Sequence, residues 1–97
     1  MSKITDSARG MDCQIRIPTI CNSDPETVVW AHANGTAAGK GIGMKTPDLL
    51  GAYACSACHD EVDRRTRIMD RNLVRLWFWE GHARSLRILI EKGLVKA

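Results

Sequence analysis

Long apolar runs are missing from this sequence: no stretch approaches the roughly twenty residues that a membrane-spanning helix needs, which argues against a membrane protein. Little in residues 1–12 reads as a secretory leader, because they are polar, broken by Gly10, and contain no apolar core, so none is expected. The expected location is therefore the cytoplasm. There is no internal repeat and no dividing linker, so one domain spanning residues 1–97 is expected. Nor is there a large excess of one charge: 14 Lys and Arg against 11 Asp and Glu leave +3, which permits a polyanionic partner without requiring one. The shortage that matters most is size. A chain of 97 residues buries too little apolar surface to be comfortably stable, and small folds of this kind often borrow stability from disulfides or a metal.

The four cysteines answer that shortage. In a reducing compartment a cysteine set points to a metal site rather than a disulfide framework. Cys55-Ser-Ala-Cys58 is a C-x-x-C knuckle, which turns the backbone so that two thiolates converge on one tetrahedral ion. Cys13 and Cys21 form a wider pair that needs a turn to bring its ends together. The two pairs make a Cys₄ structural Zn²⁺ site the leading reading, against four unrelated buried thiols. Cys55 to His59 also matches the C-x-x-C-H haem-attachment pattern. That chemistry belongs to exported proteins and leaves Cys13 and Cys21 without a role, so it ranks well behind zinc.

Pattern along the chain indicates an α+β domain. Residues 13–21 alternate apolar and polar side chains before Pro18, as one strand of a short β-hairpin would, and 27–33 are β-branched and aromatic. Gly35, Gly39, Gly41 and Gly43 mark a loop, and 49–54 read as an apolar return strand. After Cys58 a helix is expected, with Asp60 and Glu61 at its N-terminus and Arg64, Arg65 and Arg67 at its C-terminus. A second helix should run over 71–92 with Leu76, Trp79, Ala83, Leu86 and Ile90 on one stripe and Gly93 as its stop. Trp77, Phe78, Ile88 and Leu89 fall off that stripe. They imply either a broad buried face or a dimer contact, so the chain should be a monomer or a weak homodimer.

His59 and Asp63 are four apart and share a helical face. An imidazole and a carboxylate at that spacing can hold a divalent ion (Mg²⁺ or Mn²⁺, or Zn²⁺) while leaving positions open for water and phosphate. His32, ending a strand before the glycine loop, could take a proton from water attacking a phosphodiester. Each residue also has an ordinary reading: His32 as a strand histidine, His59 and Asp63 as a helical pair. His82 lies apart and reads as structural or surface.

A cysteine pair, a histidine closing a strand, a loop with a return strand, and C-x-x-C-H opening a helix together resemble the zinc-stabilised HNH (ββα-metal, His-Me finger) nucleases. Ala8-Arg-Gly, Cys13-Gln-Ile-Arg-Ile-Pro, Cys21-Asn, Pro25-Glu-Thr, Ala31-His32, Pro47-Asp48-Leu49 and the run from Ala54 to Thr66 resemble, more narrowly, the small prophage-encoded proteins of the YbcO family, named as nucleases. The likeness is dense over residues 8–66 and loose in the helical tail. It implies that His32 is the general base, His59 a catalytic-metal ligand and the cysteines the structural zinc ligands. Asp48 stands near the place of the middle asparagine of HNH proteins. Where many HNH sites carry a ligand just before the general base, this chain has Ala31, and Asp63 is the candidate replacement.

The function that the resemblance and these residues together imply is hydrolysis of DNA phosphodiesters, which the resemblance sets in phage or prophage recombination, with Arg9, Lys40, Lys45, Arg64 and Arg65 on backbone phosphates. The rival is a zinc-stabilised module that binds nucleic acid or a recombination protein without chemistry.

Overall fold

The β-branched run after Pro25 and the small-residue run before Cys55 pair with each other. The computed structural model describes residues 3–33 and 49–95. In chain order these form α1 (Lys3–Asp6), a 3-10 turn (Pro25–Thr27), β1 (Val29–His32), β2 (Gly51–Ala54), α2 (Ser56–Val62) and α3 (Arg71–Glu91). The strands are antiparallel, with Val29 opposite Ala54, Trp30 opposite Tyr53, Ala31 opposite Ala52 and His32 opposite Gly51. Trp30 and Tyr53 meet edge to face at 5.1 Å, an arrangement favoured by the aromatic quadrupole. Gly51 makes room for that packing, since a Cβ there would lie 2.5 Å from Trp30 Nε1 and 2.7 Å from Ala31 O. The strand candidates at 27–33 and 49–54 are thus observed in shortened form, while Lys40, Lys45, Asp48 and the glycine loop lie outside the described residues.

A lone two-stranded pair is marginal in water, so the sheet depends on what covers it. The outer edge of β2 is occupied on both sides of Tyr53: its N–H donates to Ser85 Oγ at 3.0 Å, and its carbonyl accepts from Gln14 N at 2.9 Å. Ser85 Oγ in turn donates to Gly81 O at 2.7 Å. Helix α3 therefore lies across β2, and Ile15, Ile17, Tyr53 and Leu89 are fully enclosed between the layers.

Three expectations need correction. Residues 13–21 form no strand; Arg16 and Thr19 take positive φ, and Ile20 N and Cys21 N both bond to Ile17 O. The segment curls because Cys13 and Cys21 must reach one point, which an extended run cannot allow. The helix expected after Cys58 begins earlier, at Ser56, capped by Cys55 Sγ, which accepts from Cys58 N at 3.4 Å. Asp60 and Glu61 thus occupy its last turns, and Arg64, Arg65 and Arg67 lie beyond it. Helix α3 has the expected extent, but its buried residues are Val74, Phe78, Gly81, Ser85 and Leu89. Leu76, Ala83 and Ile90 of the expected stripe face solvent, and Trp79 and Leu86 are half-buried. Small residues made the difference. A Cβ on Gly81 would sit 2.8 Å from Ile15 Cα, so α3 approaches the 14–15 backbone more closely than a large side chain would permit.

Candidate metal centre and catalytic face

The curl of residues 13–21 and the cap of α2 bring all four cysteines to one place. Their sulfurs lie within 4.8 Å of one another, and Cys21 Sγ and Cys55 Sγ are 3.8 Å apart. A tetrahedral zinc with Zn–S bonds of about 2.3 Å requires sulfur–sulfur edges of about 3.8 Å. Cys13, Cys55 and Cys58 are buried and Cys21 is half-buried. The thiol hydrogen bond between Cys13 and Cys58 divides that pair, holding Cys13 down to about 4 and pushing Cys58 up. Burial pushes Cys21 up. Four crowded thiols cannot all ionise unaided, and a divalent ion is the group that removes this conflict. The donor set, burial and spacing fit a metal such as zinc.

The Cys21 arm is anchored by contacts that the spacing of cysteines does not reveal. Asn22 Oδ1 accepts from Asp24 N at 2.9 Å, and Asn22 Nδ2 donates to Ser56 Oγ at 3.1 Å. Asp24 caps the 3-10 turn by accepting from Glu26 N at 3.0 Å, with Pro25 at the first turn position. Thr27 Oγ1 accepts from Ser56 N at 3.2 Å. The signal was present in Asn22-Ser-Asp-Pro-Glu26, which joins an Asx turn to a cap and an N1 proline.

His59 and Asp63 do share a face of α2: His59 Nε2 and Asp63 Oδ2 are 3.0 Å apart, each side chain about one quarter exposed. Arg65 also reaches Asp63 Oδ2 at 3.5 Å and Asp60 Oδ1 at 3.0 Å. His32 is half-buried at the end of β1, and α2 packs against both strands. Among the described residues the four cysteines form the one cluster of three or more metal-ligating side chains. His32 therefore does not join His59 and Asp63 in a single ligand set. His82 is structural, as expected: its Nδ1 lies 2.7 Å from Gly51 O, and its ring meets Trp79 edge to face.

Of the cationic residues, Arg9 is exposed beside α1, and Arg65 is mostly exposed on its carboxylates. Arg64 Nη1 is turned inward, donating to Met69 O at 3.1 Å and lying 3.5 Å from Glu61 Oε2. Glu61, absent from the sequence-level site, is fully buried. Its carboxylate accepts from Thr66 Oγ1 at 2.6 Å, Met69 N at 2.7 Å and Ile68 N at 3.3 Å. Burial alone would raise its pKa; those three donors and Arg64 outweigh burial and hold it below the usual carboxylate range. Among the described residues no helix is long and apolar enough to cross a membrane.

A family model described as "Putative nuclease YbcO" matches residues 2–94. A protein of Escherichia coli strain K12 with that same description is 46% identical over 97 residues, covering the whole of both chains. A protein of Enterobacteria phage 82, also described as "Putative nuclease ybcO", matches with the same identity and coverage. The solved "Structure of a putative bacteriophage protein from Escherichia coli str. K-12 substr. MG1655" superposes with a TM-score of 0.80 at 44% identity, covering 92% of this chain and 98% of that one.

Proposed function

The chain belongs to the YbcO family, and on that premise we propose that it is a metal-dependent endonuclease hydrolysing phosphodiester bonds in DNA, in the setting of phage recombination. The observation carrying this reading is the 3.0 Å pair of His59 Nε2 and Asp63 Oδ2 on a helix packed against the strand that His32 ends. Two ligands adjacent on an octahedral ion with bonds of about 2.1 Å are also about 3.0 Å apart, so the pair can hold Mg²⁺ or Mn²⁺ with little movement. The succession β1, β2, α2, with a Cys₄ centre at its base, supports a zinc-stabilised HNH-like core.

In this reading the Cys₄ zinc holds the segment 13–21 against α2, and the catalytic ion is separate. His32 takes the proton of a water attacking phosphorus as the phosphodiester bond breaks. A divalent ion, held by His59 and Asp63, would supply Lewis-acid stabilisation of the charge on the phosphate oxygens. Arg65, mostly exposed beside Asp60 and Asp63, is a candidate for a backbone-phosphate contact.

The rival, a binding module without chemistry, is favoured by the Arg65 guanidinium already on Asp63 and by Ala31, which brings no ligand beside His32. Crystals soaked in MnCl₂ decide between them. An anomalous peak bonded to His59 and Asp63 is expected; DNA binding without such a peak and without cleavage at millimolar Mn²⁺ would favour the module.

A further inference from the structure

The positive charge of this protein is concentrated in one place. Residues 64–75 hold five arginines (Arg64, Arg65, Arg67, Arg71 and Arg75) against Asp70 alone. Those twelve residues carry +4 of a net +3, so the rest of the chain is slightly negative. The segment runs from the end of α2, where Asp63 sits, into the first two turns of α3. Arg71 and Arg75 are exposed, four apart on one helical face, and among the described residues neither takes part in an ion pair.

At the middle of this basic segment stands Ile68, 69% exposed, more so than any other large apolar side chain described. A mobile tip could carry such a residue without consequence, but this tip is held. The buried Glu61 carboxylate accepts from Ile68 N and Met69 N, Thr66 Oγ1 binds the same carboxylate, and Arg64 bonds to Met69 O. Asp70 then accepts from Asn72 N and Leu73 N, fixing where α3 begins. A fully buried acid thus fixes the backbone beneath a mostly exposed apolar side chain, between arginines on either side.

We propose that the 64–75 segment is a duplex-DNA-binding edge, in which Arg67, Arg71 and Arg75 bind backbone phosphates and Ile68 inserts into the minor groove against a base step. The chemistry fits that partner: arginines neutralise phosphates, and an apolar wedge partly unstacks a base step and bends the duplex. A purely electrostatic surface would have no use for a fixed isoleucine. The inference rests on the DNA reading above and identifies the surface that carries it.

Binding of a short end-labelled duplex, measured against salt without added Mg²⁺ or Mn²⁺, tests the edge apart from catalysis. Removing both charges in the Arg71→Ala, Arg75→Ala double variant should flatten the log–log salt dependence by about two. Ile68→Ala should keep the wild-type slope, weaken binding about tenfold, and lose the protein-induced rise in end-to-end energy transfer that reports bending. These residues are exposed, so zinc content and melting temperature should stay at wild-type values. A wild-type protein that binds the duplex, with an unchanged slope in the double variant, would overturn the edge and leave the DNA reading standing. Wild type binding no duplex at low salt would overturn both. Unchanged bending in Ile68→Ala would overturn the wedge.

Discussion

At the scale of single residues, Glu61 shows how a buried charge is made tolerable. Desolvation of a carboxylate is costly, and three donors together with the Arg64 guanidinium offset it, leaving its pKa lowered. A lowered folded pKa contributes stability that is present above the unfolded value and is lost as pH falls through the folded one. Glu61→Gln places an amide donor against Met69 N or Ile68 N and should cost about 1–3 kcal/mol near neutrality. Thermal melts from pH 7 down to pH 3 should show the gap between variant and wild type narrowing below about pH 4.5. A gap that stays constant with pH would contradict the ionised assignment. Residue chemistry was also what the sequence revealed best. Four cysteines with a C-x-x-C knuckle announce a shared ligand because thiolates have few other reasons to cluster, and the sulfurs do converge. Glu61 was read as a helix-start charge because its partners, residues 66–69, are reached through a turn that no periodicity encodes.

Among elements, β1, β2 and α3 were legible in outline, because a β-branched run, an apolar return run and a Gly93 stop are local signals. Which face of α3 is buried was not legible. The expected stripe counts apolar residues alone, whereas the actual interface, with Val74, Phe78 and Leu89, also takes in Gly81 and Ser85, whose small size and hydroxyl serve Ile15 and β2. Gly81→Ala separates the two effects. Helix propensity alone would stabilise by about 1 kcal/mol. The added Cβ would meet Ile15 Cα and Cγ1 at 2.8 Å, and a backbone atom cannot rotate away. Overpacking of this kind costs typically 1–3 kcal/mol, so a net loss of stability is expected in urea denaturation. A stabilised Gly81→Ala protein would show that α3 does not approach Ile15 so closely. Residues 13–21 failed as a strand for a related reason: alternation describes side chains, while the Cys13–Cys21 convergence is a demand on the backbone.

For the molecule as a whole, metal binding and folding should be one event, since the Cys₄ centre joins residues 13–21 to α2 and sits within the core. Purified protein should contain about one zinc per chain, and Cys55→Ala should unfold or aggregate, because structural zinc supplies folding free energy. A metal-free chain with an unchanged melting temperature would contradict this. A Soret band would revive the haem reading. Catalysis makes the sharper demand, that the proposed nuclease activity depends on His32 as well as on His59 and Asp63. His59→Ala should abolish cleavage, with partial recovery at raised Mg²⁺ or Mn²⁺. The most direct measurement is cleavage of single- and double-stranded DNA by wild type and His32→Ala, purified identically, with and without added Mg²⁺ or Mn²⁺. Wild type should cleave only with metal, and His32→Ala should be slower by about 10² to 10⁴ at unchanged zinc content and melting temperature. Equal cleavage by the two proteins would contradict a general base at His32.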